Sequence, residues 1–185
     1  MVTFGRISQR MKRQAIFGAL MLLFFLVGPI GLLGSTLYSS PPRTDGASLF
    51  LTPSSGSYKS GDPFTLEVRL NTHGEKVVAL TAHLSYDQSR LQVMNIDTSG
   101  SALSIKAEEV VSGNLIKISR GQPTPGVTGS NILVGKVVFK AKASGKAHAD
   151  FVLISPGKGP SRIILDDGKG TDILKAVSGG RYSIK

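Results

Sequence analysis

Beyond residue 47 the chain is written in short blocks in which apolar and polar positions alternate with a period of two, parted by clusters of Gly, Pro, Ser and Asn. In Pro63 to Asn71, Phe64, Leu66, Val68 and Leu70 alternate with Thr65, Glu67, Arg69 and Asn71, which predicts a half-buried strand with one wet face. Val78 to Tyr86 repeats the pattern, with Val78, Leu80, Ala82, Leu84 and Tyr86 expected inward and Thr81, His83 and Ser85 outward. Asp87 opens a turn into Leu91, Val93 and Ile96. Further strands are expected at Leu103 to Val111, Leu115 to Ser119, Ile132 to Ala143, Ala147 to Ile154, Ile163 to Asp166 and Gly180 to Ile184. In the long block from Ile132, Lys136, Lys140 and Lys142 alternate with Val137, Phe139 and Ala141, so one face is buried and the other is rich in lysine. Such lysines also discourage association through a strand edge. Many short strands without an amphipathic helix predict an all-β, antiparallel two-sheet β-sandwich. Periodicity leaves jelly-roll and immunoglobulin-like topologies both open.

The N-terminal part follows another rule. Ala15 to Leu33 is a run of 19 uncharged, almost wholly apolar residues. As a helix it would extend roughly 28 Å, close to the hydrocarbon thickness of a bilayer. Arg6, Arg10, Lys12 and Arg13 precede it, so the positive-inside rule sets the N-terminus in the cytoplasm and the remainder across the membrane. The expected organisation is a basic leader over residues 1–14, a single transmembrane helix acting as signal anchor over 15–33, a linker over 34–47 and one domain over 48–185. A cleaved signal peptide is the alternative, and it would make the domain a secreted one. The run exceeds the usual apolar core of a signal peptide, about 7 to 15 residues. No Ala-x-Ala-like site follows it.

Composition narrows the chemistry. The chain has no cysteine, which removes disulfides, thiol nucleophiles and thiolate metal sites together. Of the net charge of +10, +4 belongs to residues 1–42 and +6 to the rest, where 18 Lys and Arg face 12 Asp and Glu. Those charges are scattered singly, without a basic run or interleaved aromatics, so nucleic acid is not an expected partner. His73, His83 and His148 have no zinc-ligand spacing, and no G-x-S-x-G elbow marks a nucleophile. Glu108 and Glu109 are adjacent and would point to opposite faces of a strand, as one or two solvated acids rather than a catalytic pair. The expectation is therefore a protein that is not an enzyme and holds no cofactor or metal. Asp166 to Asp172 has the acids and glycines of a calcium loop, but Gly168 and Gly170 stand where ligands are needed, which favours a glycine-rich hairpin.

Three stretches are familiar. Ser57-Tyr58-Lys59-Ser60-Gly61-Asp62 precedes a Phe-x-Leu-x-Val strand; Leu84-Ser85-Tyr86-Asp87-Gln88-Ser89-Arg90-Leu91-Gln92-Val93 follows; Gly135-Lys136-Val137-Val138-Phe139-Lys140-Ala141-Lys142 comes later. With Ser178-Gly179-Gly180 leading into a last short strand, the order resembles the bacterial cohesin domain, the receptor module of cellulose-degrading complexes, over roughly Ala47 to Lys185. The resemblance implies a jelly-roll sandwich of about nine strands, related to carbohydrate-binding modules, that binds a dockerin on one sheet face. Where the best-known type presents an Asn and an Asp, this chain has Ala79 and Thr81, and no Asn or Asp occurs between Glu75 and Tyr86. That departure points to a divergent partner. The candidate partner-binding positions are Thr81, His83 and Ser85 on one strand, with Lys117 and Ser119 on another if Ile116 and Ile118 face inward. Two alternatives stand beside capture of a protein module: direct carbohydrate binding, and a structural role in the envelope. Polysaccharide sites usually rest on coplanar aromatic rings. This chain has no Trp, and only Tyr58 and Tyr182 are available to build such a platform.

Overall fold

The structure, a computed structural model, describes residues 46–153 and 159–185. The expected leader, anchor and nearly all of the linker lie outside the described residues. Among those described, no helix is long and apolar enough to cross a membrane.

The described residues form twelve strands: β1 (Ala47–Thr52), β2 (Ser55–Tyr58), β3 (Pro63–Asn71), β4 (Val77–Tyr86), β5 (Leu91–Asp97), β6 (Ile105–Ser112), β7 (Leu115–Gly121), β8 (Ile132–Ala141), β9 (Gly145–Phe151), β10 (Arg162–Leu165), β11 (Leu174–Ser178) and β12 (Gly180–Ile184). They form a first sheet in the order β11-β1-β3-β8-β5 and a second in the order β2-β12-β9-β4-β7-β6, with β10 also pairing β4. The expected sandwich of two sheets is therefore present. Two features differ from expectation. The strands number twelve rather than about nine, and the sheets are mixed rather than antiparallel, because β1 runs parallel to β11 and β2 parallel to β12. Each parallel pair joins a strand near the start of the domain to one near its end, a pairing that period-two alternation cannot encode.

The core lies between the sheets and is filled by the inward parity of each strand. Leu49 and Leu51 of β1, Phe64, Leu66, Val68 and Leu70 of β3, and Val137, Phe139 and Ala141 of β8 meet Leu80, Ala82 and Leu84 of β4 and Ile116 and Ile118 of β7 in one buried cluster. At one end of it the rings of Tyr58 and Phe64 stack with centroids 3.9 Å apart, and Tyr182 and Phe139 each lie 5.7 Å from Phe64. The expected lysine face of β8 is there, with Lys136 and Lys140 on the side opposite Val137 and Phe139. The loop from Asp166 to Asp172 is the glycine-rich turn its sequence suggests, with Gly168 at φ 67° and Gly170 at φ 75°. Its acids are engaged within the fold. Asp167 accepts from the Lys169 amide and the Thr171 hydroxyl, and Asp172 Oδ1 accepts from the amides of Ile163 and Leu174.

Candidate partner-binding face

β4 is an inner strand of the second sheet, and its two edges are satisfied differently. β7 pairs along one edge from Ala79 to Ser85. The other edge is shared in succession: β10 pairs with Val77 to Thr81, and β9 pairs with Leu84 to Tyr86. At the join, the His83 amide donates to Ser161 Oγ at 3.1 Å, while the Val152 amide donates to the His83 carbonyl at 2.8 Å. A buried serine thus closes the ladder where the strand partner changes, so no backbone group of His83 is left without a partner.

Register fixes what the outer face of this sheet displays. Ile105 on β6, Gly121 on β7 and Ala79 on β4 form one cross-sheet row. The next rows are Glu108, Ser119 and Thr81, then Val110, Lys117 and His83, then Ser112, Leu115 and Ser85. All five candidate residues therefore share one face in three consecutive rows, as the alternation of β4 and β7 implies. Thr81 Oγ1 and Ser119 Oγ lie 3.1 Å apart and share a hydrogen bond. Lys117 Nζ pairs with the Glu108 carboxylate, and the Ser85 hydroxyl donates to the Asp150 carbonyl at 3.3 Å. The Asp150 carboxylate, on β9, pairs in turn with Arg181 of β12 at 2.6 Å. The His83 imidazole is held below its ordinary pKa by burial first and by the Lys117 ammonium second, against a smaller opposing pull from Glu108. It presents a neutral ring at neutral pH.

Thr81, His83, Ser85 and Lys117 are half-buried, and the fifth candidate is buried. Ser119 retains only 8 % of its accessible surface, because the larger side chains of Thr81 and Glu108 flank it on both neighbouring strands. Its hydroxyl holds Thr81 in place rather than reaching solvent. Three large apolar residues outside the candidate set reach solvent on this face: Ile105, Val110 and Leu115, exposed by 50, 43 and 41 %. They border the small, flat strip of Ala79, Thr81, Ser85, Ser119 and Gly121 with apolar surface.

The opposite side of β6 and β7 also differs from the sequence reading. Glu109 is not a solvated acid: its side chain is 11 % exposed and points inward, where Lys106 pairs with it at 2.6 Å and the Thr98 hydroxyl donates to it. Arg120, buried, donates twice to the Leu103 carbonyl, at 3.1 and 2.8 Å, and once to Thr98 Oγ1 at 3.1 Å, with Glu109 3.8 Å away. Burial raises the Glu109 pKa, but hydrogen bonds from Lys106 and Thr98 and the two cations outweigh it, leaving the carboxyl below its ordinary value. Parity contained the signal, since Arg120 follows Ile116 and Ile118 at the same spacing.

Neither tyrosine forms a platform for sugar. Tyr182 is buried and its hydroxyl donates to the Pro53 carbonyl at 2.9 Å, while the face of Tyr58 is covered by Phe64. A groove of about 580 Å³ does cross the β2, β12 and β9 end of the second sheet, lined by Ser55, Gly56, Lys146, Arg181 and Ser183 among others. Among the described residues, no cluster of three His, Asp or Glu is arranged to hold a metal.

Comparison with known proteins places this arrangement. The family profile of the Cohesin domain matches residues 49–177. Among solved structures, a non-cellulosomal cohesin from the archaeon Archaeoglobus fulgidus is similar with a TM-score of 0.58 at 17 % identity, covering 76 % of this chain and 91 % of that one. A cohesin solved in a cohesin–dockerin complex from Clostridium thermocellum has a TM-score of 0.58 at 14 % identity, covering 76 and 94 %. The solution structure of CaCohA2 from Clostridium acetobutylicum has a TM-score of 0.57 at 16 % identity, covering 77 and 92 %. At such identities the structural likeness speaks for the fold. No curated protein matches the chain.

Proposed function

We propose, from the premise that this chain belongs to the cohesin domain family, that it is a non-catalytic binding module that captures a protein partner on the outer face of its second sheet. The observation that carries the reading is the face itself: a flat strip of small residues on β4 and β7, one neutral imidazole, one ion pair, and a border of solvent-exposed Ile105, Val110 and Leu115. Apolar surface beside a few fixed polar groups is the usual make-up of a protein interface. Clostridial relatives of the same fold were solved bound to dockerins, which supports a dockerin-like module as the partner class. Ala79 and Thr81 in place of the acidic and amide residues of the best-known type favour a divergent dockerin. The basic leader and the apolar run Ala15 to Leu33 support a membrane-anchored, extracytoplasmic position for the domain, close to the surface at which a polysaccharide-degrading or other envelope assembly would be held.

Direct carbohydrate binding is the second reading, and the groove beside Lys146, Arg181, Ser55 and Ser183 favours it through hydrogen-bonding groups rather than rings. Immobilised full-length chain in detergent, offered envelope and secreted fractions with a polysaccharide array in parallel, separates the two. Capture of proteins sharing one small module, lost in Thr81→Arg/His83→Glu, supports the first reading. Glycan binding that the double substitution leaves intact supports the second.

A further inference from the structure

The outer face of the second sheet has two halves. β4, β7 and β6 carry the strip of small, charged and apolar residues, while β2, β12 and β9 carry a different set. Register sets Ser55 beside Arg181 and Arg181 beside His148, then Ser57 beside Ser183 and Ser183 beside Lys146. The ladder between β2 and β12 runs one residue further. The Lys185 amide donates to the Tyr58 carbonyl at 2.9 Å and the Ser60 amide to the Lys185 carbonyl at 2.8 Å, which sets Lys59 beside Lys185. Three rows are thus built from serine, lysine, arginine and histidine alone, and all of these residues are exposed. Among the described residues, the large exposed apolar side chains lie on β5, β6 and β7 instead.

Charge also divides the halves. On β6 and β7, Lys106, Lys117 and Arg120 each meet a glutamate. On the other half Arg181 is held by Asp150, but Lys59, Lys146 and Lys185 meet no carboxylate among the described residues. Lys146 and Lys185 are diagonal neighbours on adjacent strands, about 7–8 Å apart, and Lys59 flanks Lys185. Ammonium groups gathered without counter-charge repel one another, and an entering anion relieves that repulsion. The groove of about 580 Å³ lies among these rows, with Ser55 and Ser183 supplying hydroxyls and Lys146 and Arg181 supplying charge.

We propose that this groove binds an anionic polysaccharide, a sugar chain bearing carboxylate or sulfate groups. The inference deepens the reading of direct carbohydrate binding and rests on it. Lysine ammonium groups meet the anionic substituents, and serine hydroxyls, which both donate and accept, meet the sugar hydroxyls. From Arg181 to Lys185 the cations extend along β12 for about 14 Å, further than one anionic group reaches, so the site fits a chain with repeated charge. A protein partner would find no apolar anchor in these rows, and a nucleic acid no exposed ring on which to stack a base.

The test offers the full-length chain in detergent to surfaces bearing carboxymethyl cellulose, cellulose sulfate or hydroxyethyl cellulose, which share one backbone and differ in charge. The groove variant Lys59→Gln/Lys146→Gln/Lys185→Gln is compared with a charge-matched variant, Lys76→Gln/Lys169→Gln/Lys175→Gln, whose exposed lysines lie around the Asp166 to Asp172 turn. Both variants keep the basic leader, so its contribution cancels. The expected result is salt-sensitive binding to the two charged polymers, weakened about tenfold or more by the groove variant and hardly at all by the other. Equal weakening by the two variants, or no binding to either charged polymer, overturns the proposal. Equal binding to all three polymers overturns it while leaving carbohydrate binding standing, and binding to none overturns both.

Discussion

Glu108 and Glu109 are chain neighbours and each meets a cation, yet they stand on opposite sides of the same sheet and do different work. Glu109 lies between the sheets, where Lys106, Thr98 and the buried Arg120 surround it and tie β6, β7 and the Leu103 carbonyl together. Glu108 pairs with Lys117 on the outer face, half-exposed beside His83 and Val110. A buried charge stripped of its partner is costly because its desolvation is no longer compensated, whereas an exposed pair exchanges its partner for water at little loss. One side of β6 and β7 is therefore tied into the fold, and the other is left accessible, as the proposed recognition face requires.

The comparison breaks most visibly at Arg120. Arg120→Met leaves the buried Leu103 carbonyl without its two donors and takes away the guanidinium 3.8 Å from Glu109, which keeps Lys106 and Thr98, and should cost about 1–3 kcal/mol of stability, read as a lowered urea midpoint with an unchanged slope. A loss below about 1 kcal/mol would mean that the inner pair is as dispensable as a surface one.

Acid sharpens it next. The folded Glu109 carboxyl binds its proton less tightly than the unfolded one, so the unfolded state takes up more protons as pH falls. The contribution is fully present above the ordinary carboxyl value of about 4.5 and disappears as pH drops through the lower folded value. Thermal unfolding of Glu109→Gln should accordingly lose part of the pH dependence that the unaltered chain shows between neutral and acidic buffer. Parallel curves for the two proteins would remove Glu109 from the acid response.

Lys117→Met should produce the smallest change in stability, within about 1 kcal/mol, because Lys117 and Glu108 are both in contact with water. Its effect should appear in partner capture, as a faster dissociation or an altered salt dependence measured by surface plasmon resonance.

How legible this was in the sequence depended on what alternation alone can carry. β3 and β12 were readable because each alternates over its whole length against a buried core, as do β4 from Leu80 and β8 from Lys136, and Thr81, His83 and Lys117 followed from parity; at the start of β4 the alternation breaks, so that Val77 rather than the expected Val78 is buried. β2, Ser-Gly-Ser-Tyr, has no apolar alternation, and β1 follows directly on a stretch rich in Ser, Pro and Gly that masks Ala47, Leu49 and Leu51. Ile105, Val110 and Leu115 were missed for a different reason: an apolar residue on a strand reads as core until the order of strands shows that its strand lies at or beside an edge. Ser119 failed in the opposite sense, since its exposure is decided by neighbours on two other strands.

The most direct test of the outer face is capture by the full-length Thr81→Arg/His83→Glu chain, measured beside its thermal unfolding. Both side chains lie on the outer row of β4, away from the core, so the account predicts that the fold survives while partner binding weakens by about tenfold or more, equivalent to about 1.4 kcal/mol. Undiminished capture by the folded double variant would contradict it and move the binding site off this face.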